Sequence, residues 1–146
     1  MKLFFDTNIL LDVLAKREPF YEAAARLWTL AERRQVEASI STLSLNNIYY
    51  IVRKASGKQT AHEALVLLRD IFDLVAPDRQ IVNQAIDSSM DDFEDAVQLY
   101  SAIRIQADYL ITRNTDDFPK NDIPIISPDE LLATLAIAEL SSKAEQ

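Results

Sequence analysis

Apolar residues along this chain arrive in two rhythms. Short, nearly unbroken apolar runs stand at Lys2 to Phe5, Val36 to Ile40, Leu74 to Ala76, Tyr109 to Thr112 and Ile123 to Ile126, the form taken by strands buried on both faces. Between them apolar residues recur every three or four positions, as in Phe20, Ala23, Ala24, Leu27, Trp28 and Ala31 after Pro19, which predicts helices with one buried face. Helices are expected over Asn8 to Ala15, Phe20 to about Ala31, Leu43 to Lys54, Thr60 to about Phe72, Asp78 to Ser88 and Asp91 to Gln106. A last one should start after Ser127. Ser56-Gly57 stops the helix that opens at Leu43, with Gly57 as a left-handed cap. Thr60-x-x-Glu63 and Ser127-Pro128-Asp129-Glu130 read as capping boxes, the second with proline at the first helical position.

Strands alternating with helices predict an α/β fold, a parallel sheet covered on both faces. Ligands of such sheets bind beyond the C-terminal strand ends. Asp6 follows the first strand and Thr112 to Asp117 follow the fourth, so folding should gather them although more than a hundred residues separate them. With 146 residues and no repeat or linker, one domain over 1–140 is expected, with a polar tail at 141–146 that frays.

Composition narrows the chemistry. The absence of cysteine excludes disulfides, thiolate zinc sites and cysteine nucleophiles, and suits a reducing cytoplasm. One glycine is too few for a Gly-rich phosphate loop, a dinucleotide fingerprint or a G-x-S-x-G elbow. One histidine, His62, rules out H-E-x-x-H and a Ser/His/Asp set, and near a helix start it reads as solvated. No apolar run of about 18 residues offers a membrane helix. Met1 to Ala15, interrupted by Asp6, Asn8 and Asp12, reads as folded structure rather than an address. A net charge of −8 opposes simple attraction to a polyanion, so an RNA or DNA substrate would require metal ions and local basic patches. The same charge would attract a basic protein partner.

Asp6, with Thr7 and Asn8 after it, can cap the following helix, bind a metal, or do both. Asp91, Asp92, Glu94 and Asp95 crowd one helix start; Asp91 and Glu94 are read as complements of the helix dipole. Asp95 heads a stripe through Leu99, Ala102 and Ile103 that should face the sheet, and Asp92 lies on nearly the same face. A carboxylate placed there is costly to bury without a partner or a metal, so a ligand role is expected. Thr112, Arg113, Asn114, Asp116 and Asp117 form an oxygen-rich loop, in which Arg113 can pair with a carboxylate or a phosphate. These donors are all hard oxygens, which suits Mg²⁺ or Mn²⁺ better than zinc. Divalent ions so held activate water and stabilise a leaving oxygen, so phosphate-ester hydrolysis is the natural reaction. Trp28, Tyr49 and Tyr50, on apolar helical faces, read as core or dimer contacts rather than base-stacking platforms.

At these residues the sequence resembles the PIN-domain family, especially its VapC-like toxins. The matching pieces are Phe4-Phe5-Asp6-Thr7-Asn8-Ile9-Leu10-Leu11, the stretch Ile40 to Tyr50, Asp92-Phe93-Glu94-Asp95-Ala96, and Leu110-Ile111-Thr112-Arg113-Asn114 with Asp117-Phe118. The resemblance covers residues 3 to about 132. It implies a three-layer α/β/α sandwich around a mainly parallel sheet, and a metal-dependent ribonuclease acting on single-stranded or structured RNA. It also implies a homodimer and an antitoxin that blocks the acidic pocket with a basic segment. Asp6 matches the first acid of the family pattern and Asp95 the third, with Asp92 beside it; Asn114 and Asp117 match the last positions. One position departs. Asn47 stands where the family usually has a carboxylate, and an amide brings no charge and cannot act as a base.

The leading expectation is therefore a Mg²⁺ or Mn²⁺ ribonuclease, the toxin of a toxin–antitoxin pair. In it Asp6, Asp92, Asp95 and Asn114 hold metal, Asp117 joins the catalysis, and Thr7, Asn8, Asn47, Thr112, Arg113 and Asp116 support them. A catalytically silent relative that binds RNA or a protein partner is the alternative, favoured by Asn47 and the acidic charge. An aspartyl-nucleophile phosphatase also ends a strand in Asp, but it calls for a second Asp where Asn8 stands.

Overall fold

The computed structural model describes residues 1–120 and 123–144. Five strands, β1 (Lys2–Phe5), β2 (Glu37–Ser41), β3 (Asp73–Val75), β4 (Tyr109–Ile111) and β5 (Ile125–Ile126), form one sheet in the order β3-β2-β1-β4-β5, every pair parallel. Seven helices flank it: α1 (Thr7–Leu14), α2 (Tyr21–Glu32), α3 (Thr42–Ser56), α4 (Lys58–Ile71), α5 (Arg79–Asp87), α6 (Phe93–Arg104) and α7 (Pro128–Ala144).

The period of two along β1 sorts the layers. Leu3 and Phe5 enter a cluster with Ile9, Leu10, Leu27, Trp28, Leu68 and Leu131, from α1, α2, α4 and α7. Phe4 points the other way, against Leu99 and Ala102 of α6 and Leu110 of β4. α5 then packs on α6 through Ile81, Ala85, Ala96 and Val97. The result is the expected α/β/α sandwich. Trp28 and Phe5 both meet the Phe72 ring edge-on, at centroid separations of 5.2 and 5.3 Å.

Winding reverses between β1 and β4, where Leu3, Phe4 and Phe5 pair with Tyr109, Leu110 and Ile111. A crevice opens at the carboxyl ends of strands at such a switch point, because the connections from the two strands leave in opposite directions.

One local reading holds and another changes. Gly57 caps α3 at positive φ as expected, at φ 92° and ψ 170°; its amide closes α3 on the Arg53 carbonyl while its carbonyl accepts from Ala61. The turn is one residue long, so α4 begins at Lys58 and Thr60 is already inside it. The Thr60–Glu63 capping box does not form, and Glu63 accepts from Gln59 instead, at 3.1 Å. The Ser127 box does form: Ser127 Oγ accepts from the Glu130 amide at 3.2 Å and donates to its carboxylate at 3.0 Å. α7 continues to Ala144, through most of the segment expected to fray, and residues 145 and 146 lie outside the described residues. Among the described residues no helix is long and apolar enough to cross a membrane.

Candidate metal centre

Asp6 is the first residue after β1, fixed there by its amide donating to the Ile111 carbonyl of β4 at 3.0 Å. It is both cap and pocket residue. Its Oδ1 accepts from the Thr7 amide at 2.8 Å, and its Oδ2 accepts from the Thr112 hydroxyl at 2.9 Å. Thr112 Oγ1 in turn accepts from the Asn114 amide at 3.2 Å. One buried hydroxyl thus ties the loop after β4 to the acid after β1.

Asp92 caps α6, accepting from the Asp95 amide at 2.9 Å. Asp95 sits one turn in, half-buried, above the buried Leu99 and Ala102 as the stripe predicts. A 3₁₀ turn, Thr115–Asp117, follows Asn114 and carries Asp117 back toward the sheet, its amide bonded to the Asn114 carbonyl at 3.0 Å.

These segments meet in a cavity of about 650 Å³ faced by Asp6, Thr7, Asn8, Asn47, Asp92, Glu94, Asp95, Asn114 and Asp117, together with Tyr49 and Tyr50. Among the described residues no lysine or arginine lines it. Five carboxylates therefore share one hollow without a compensating charge. Burial pushes the Asp6 carboxyl above its ordinary range, against the pull of its Thr112 and Thr7 hydrogen bonds, and Glu94 and Asp92 push in the same direction. Desolvation, then repulsion from Asp6, Asp92, Asp117 and Glu94, moves Asp95 up to about 7.

The donor set fits a hard divalent cation. Among the described residues no three His, Cys, Asp or Glu side chains close on a ready-made cage. Mg²⁺ is usually held by one or two carboxylates and keeps several waters, so a wide carboxylate-lined hollow suits it better than it would suit a fully dehydrated ion. Asp6 and Asp95 would hold such an ion, with Asp92, Asn114 and Asp117 around its waters.

Arg113 and Asp116 lie elsewhere. Arg113 Nε stands 2.8 Å from Oδ2 of the fully buried Asp12 on α1, and its guanidinium carbon lies 4.1 Å from the centre of the Phe20 ring. The contact is an ion pair without hydrogen-bond alignment, since Arg113 Nε and both Asp12 oxygens lack an aligned partner. Burial raises the Asp12 carboxyl and the Arg113 charge opposes it. Asp116 faces a separate hollow beside Phe118 and Pro119. A larger surface hollow, about 770 Å³, runs along α5; of its lining acids, Asp78 is gripped by Arg104 at 2.9 Å.

Glu94, read from sequence as a complement of the helix dipole, stands in the first turn of α6 as that reading requires and is also a wall of the pocket. Its Oε1 accepts from Asn47 Nδ2 at 2.8 Å and from the Thr7 hydroxyl at 3.3 Å. A signal existed in the sequence: Glu94, Gln98 and Ser101 recur at helical spacing, and both Gln98 and Ser101 prove fully buried. Of the two places expected for Tyr50, core or dimer contact, the core is excluded: at 71% exposure it stands on the pocket rim, because α3 turns that face away from the sheet. Tyr49 is half-buried there, while His62 is exposed as expected.

A family model described as PIN domain matches residues 2–116. No curated protein sequence matches the chain. Among solved structures it resembles the DNA-bound VapBC of Salmonella typhimurium, at TM-score 0.68 and 16% identity, covering 88% of this chain and 98% of that one. A toxin–antitoxin complex from Klebsiella pneumoniae gives TM-score 0.65 and 23% identity over 86% and 97% of the two chains. VapC20 of Mycobacterium tuberculosis, a toxin cleaving the sarcin–ricin loop, gives 0.61 and 16% over 74% and 86%. At these identities the likeness is one of fold.

Proposed function

This chain belongs to the PIN-domain family, and on that premise we propose that it is a Mg²⁺- or Mn²⁺-dependent ribonuclease that hydrolyses RNA phosphodiester bonds as the toxin of a toxin–antitoxin pair. The observation that carries this reading is the meeting of Asp6, Asp92, Glu94, Asp95 and Asp117, from three distant segments, in one hollow that no lysine or arginine lines among the described residues. A bound divalent ion supplies an acidified water and positive charge against phosphate oxygens. The chain's part is placement. Thr7 and Thr112 fix both oxygens of Asp6, Asp92 locks the first turn of α6 beneath Asp95, and the Thr112 hydroxyl holds Asn114 in register with Asp6. Cation binding displaces protons from these carboxylates, so affinity should rise as pH rises through about 7, the value to which Asp95 is pushed. The partners that go with this role are a second copy of the chain and an antitoxin whose basic segment enters the pocket, in the cytoplasm.

A second reading is favoured by Asn47, whose amide donates to Glu94 and brings no charge: a silent module that binds RNA or a protein partner. Titrating Mn²⁺ against a fluorescent RNA separates the two. Metal-dependent cleavage that is abolished in Asp6→Asn, a loss beyond the roughly hundredfold that removing a group behind a ligand can cost, supports the nuclease. Binding without metal-dependent cleavage supports the silent module, and cleavage unchanged in Asp6→Asn refutes the site.

A further inference from the structure

The α3 wall of the pocket contributes an amide, Asn47, while the α6 wall facing it contributes Glu94. Asn47 and Thr7 both donate to the same oxygen of Glu94, Oε1. Behind them lies a buried polar chain. Thr7 Oγ1 is 2.6 Å from Ser44 Oγ, and Gln98 Nε2 donates to the two hydroxyls at 3.0 and 3.1 Å. Ser44 and Gln98 are fully buried and Thr7 is 6% exposed. Polar groups buried this deeply are costly unless paired, and their bonds run to one carboxylate oxygen. An acid serving only the helix dipole would stand in solvent without such support. Among the described residues no protein group bonds Glu94 Oε2. Glu94 also shares the pocket with Asp6 and Asp95, and its charge is felt at both.

We propose that Glu94 is a ligand of the divalent cation or of its water, with the Asn47, Thr7, Ser44 and Gln98 network clamping Oε1 so that Oε2 is presented to the pocket. The inference rests on the metal-dependent reading above. Charge that α3 does not supply is supplied by α6, and the amide of Asn47 becomes its positioning group.

Mn²⁺ titrations of the full chain, read by the electron-spin-resonance signal of free Mn²⁺, test this without any RNA. Glu94→Gln keeps the shape and the acceptor oxygen for Asn47 and Thr7 but removes the charge, and should weaken Mn²⁺ binding by about tenfold or more. In the double variant Glu94→Gln/Asn47→Glu the hydrogen bond can form with its polarity reversed and the carboxylate moved to α3; most of the affinity should return. Wild-type affinity in Glu94→Gln overturns the inference and leaves the metal site standing, because Glu94 would then be structural only. Absence of Mn²⁺ binding in the wild-type chain overturns the inference and the metal-dependent reading together. Should Glu94→Gln fail to fold, the double variant decides: near wild-type affinity supports the role of the relocated carboxylate, and lost affinity in a folded protein overturns it.

Discussion

Arg113 and Asn114 are consecutive on the loop after β4, yet they serve opposite electrostatic regions. Arg113 turns to α1, where it meets Asp12 at 2.8 Å under the Phe20 ring. Asn114 turns into the pocket, where, among the described residues, five carboxylates meet no basic side chain. In the first region the fold neutralises a buried acid from within itself. In the second it leaves like charges together, and burial, reinforced by their mutual repulsion, raises Asp95 to about 7. A protein that places an arginine against one acid and withholds it from five others, one residue along the chain, leaves a site whose charge is relieved by a proton on Asp95 and, on the proposed function, by an external cation.

The contrast can be broken first at the sealed pair. Arg113→Met leaves Asp12 charged and buried, which should cost roughly 3–5 kcal/mol in urea unfolding. Replacing both groups, Asp12→Leu with Arg113→Met, should recover most of that loss, because an apolar pair of similar volume has no desolvation penalty. A loss under about 1 kcal/mol in the single variant would mean that Asp12 is solvated after all.

At the open site the sign reverses. The folded state holds a proton on Asp95 up to about pH 7, whereas the unfolded chain releases it near the ordinary value of 3.8. The contribution of Asp95 to metal-free stability is therefore full below that lower value and is lost as pH rises through about 7. Asp95→Asn should flatten this slope and stabilise the metal-free protein at pH 8 by about 2 kcal/mol, roughly half the unscreened figure because the group is half exposed. It should abolish the rescue by Mn²⁺. Thermal melts at pH 5 and 8 with and without Mn²⁺ check this, and a variant that melts lower than wild type at pH 8 would contradict it.

The smallest effect should come from the link between the regions. Thr112→Val removes the hydroxyl that bridges Asp6 and the Asn114 amide, costing about 1 kcal/mol. It should also weaken Mn²⁺ binding, since Asp6 loses the donor that holds Oδ2. Equal Mn²⁺ affinity in this variant would place Thr112 outside the site's support.

Much of this architecture is legible along the chain. Asp6, Asp92, Asp95, Asn114 and Asp117 are local facts of sequence, oxygen donors beside strand ends or helix starts, and the resemblance gives four of them, Asp6, Asp95, Asn114 and Asp117, a place in the family pattern. Thr112 was readable as part of an oxygen-rich loop, though not as the donor to Asp6. The pocket-facing side of Glu94 is not plainly legible in sequence, because a first-turn acid on a helix has an ordinary explanation and the group that adds to it, Asn47 at 2.8 Å, lies 47 residues away. Arg113 could be said to want an anion, but whether a phosphate or Asp12 depended on which side of the loop α1 passes.

Hydrophobic rhythm alone determined the alternation of strands and helices, hence the parallel sheet and the edge at which acids would gather, because burial of apolar faces follows from local period. Which acids are neutralised and which are left to repel one another was decided by the tertiary structure, because Coulomb interactions depend on separation in space and on exclusion of water, and neither is written in the order of residues.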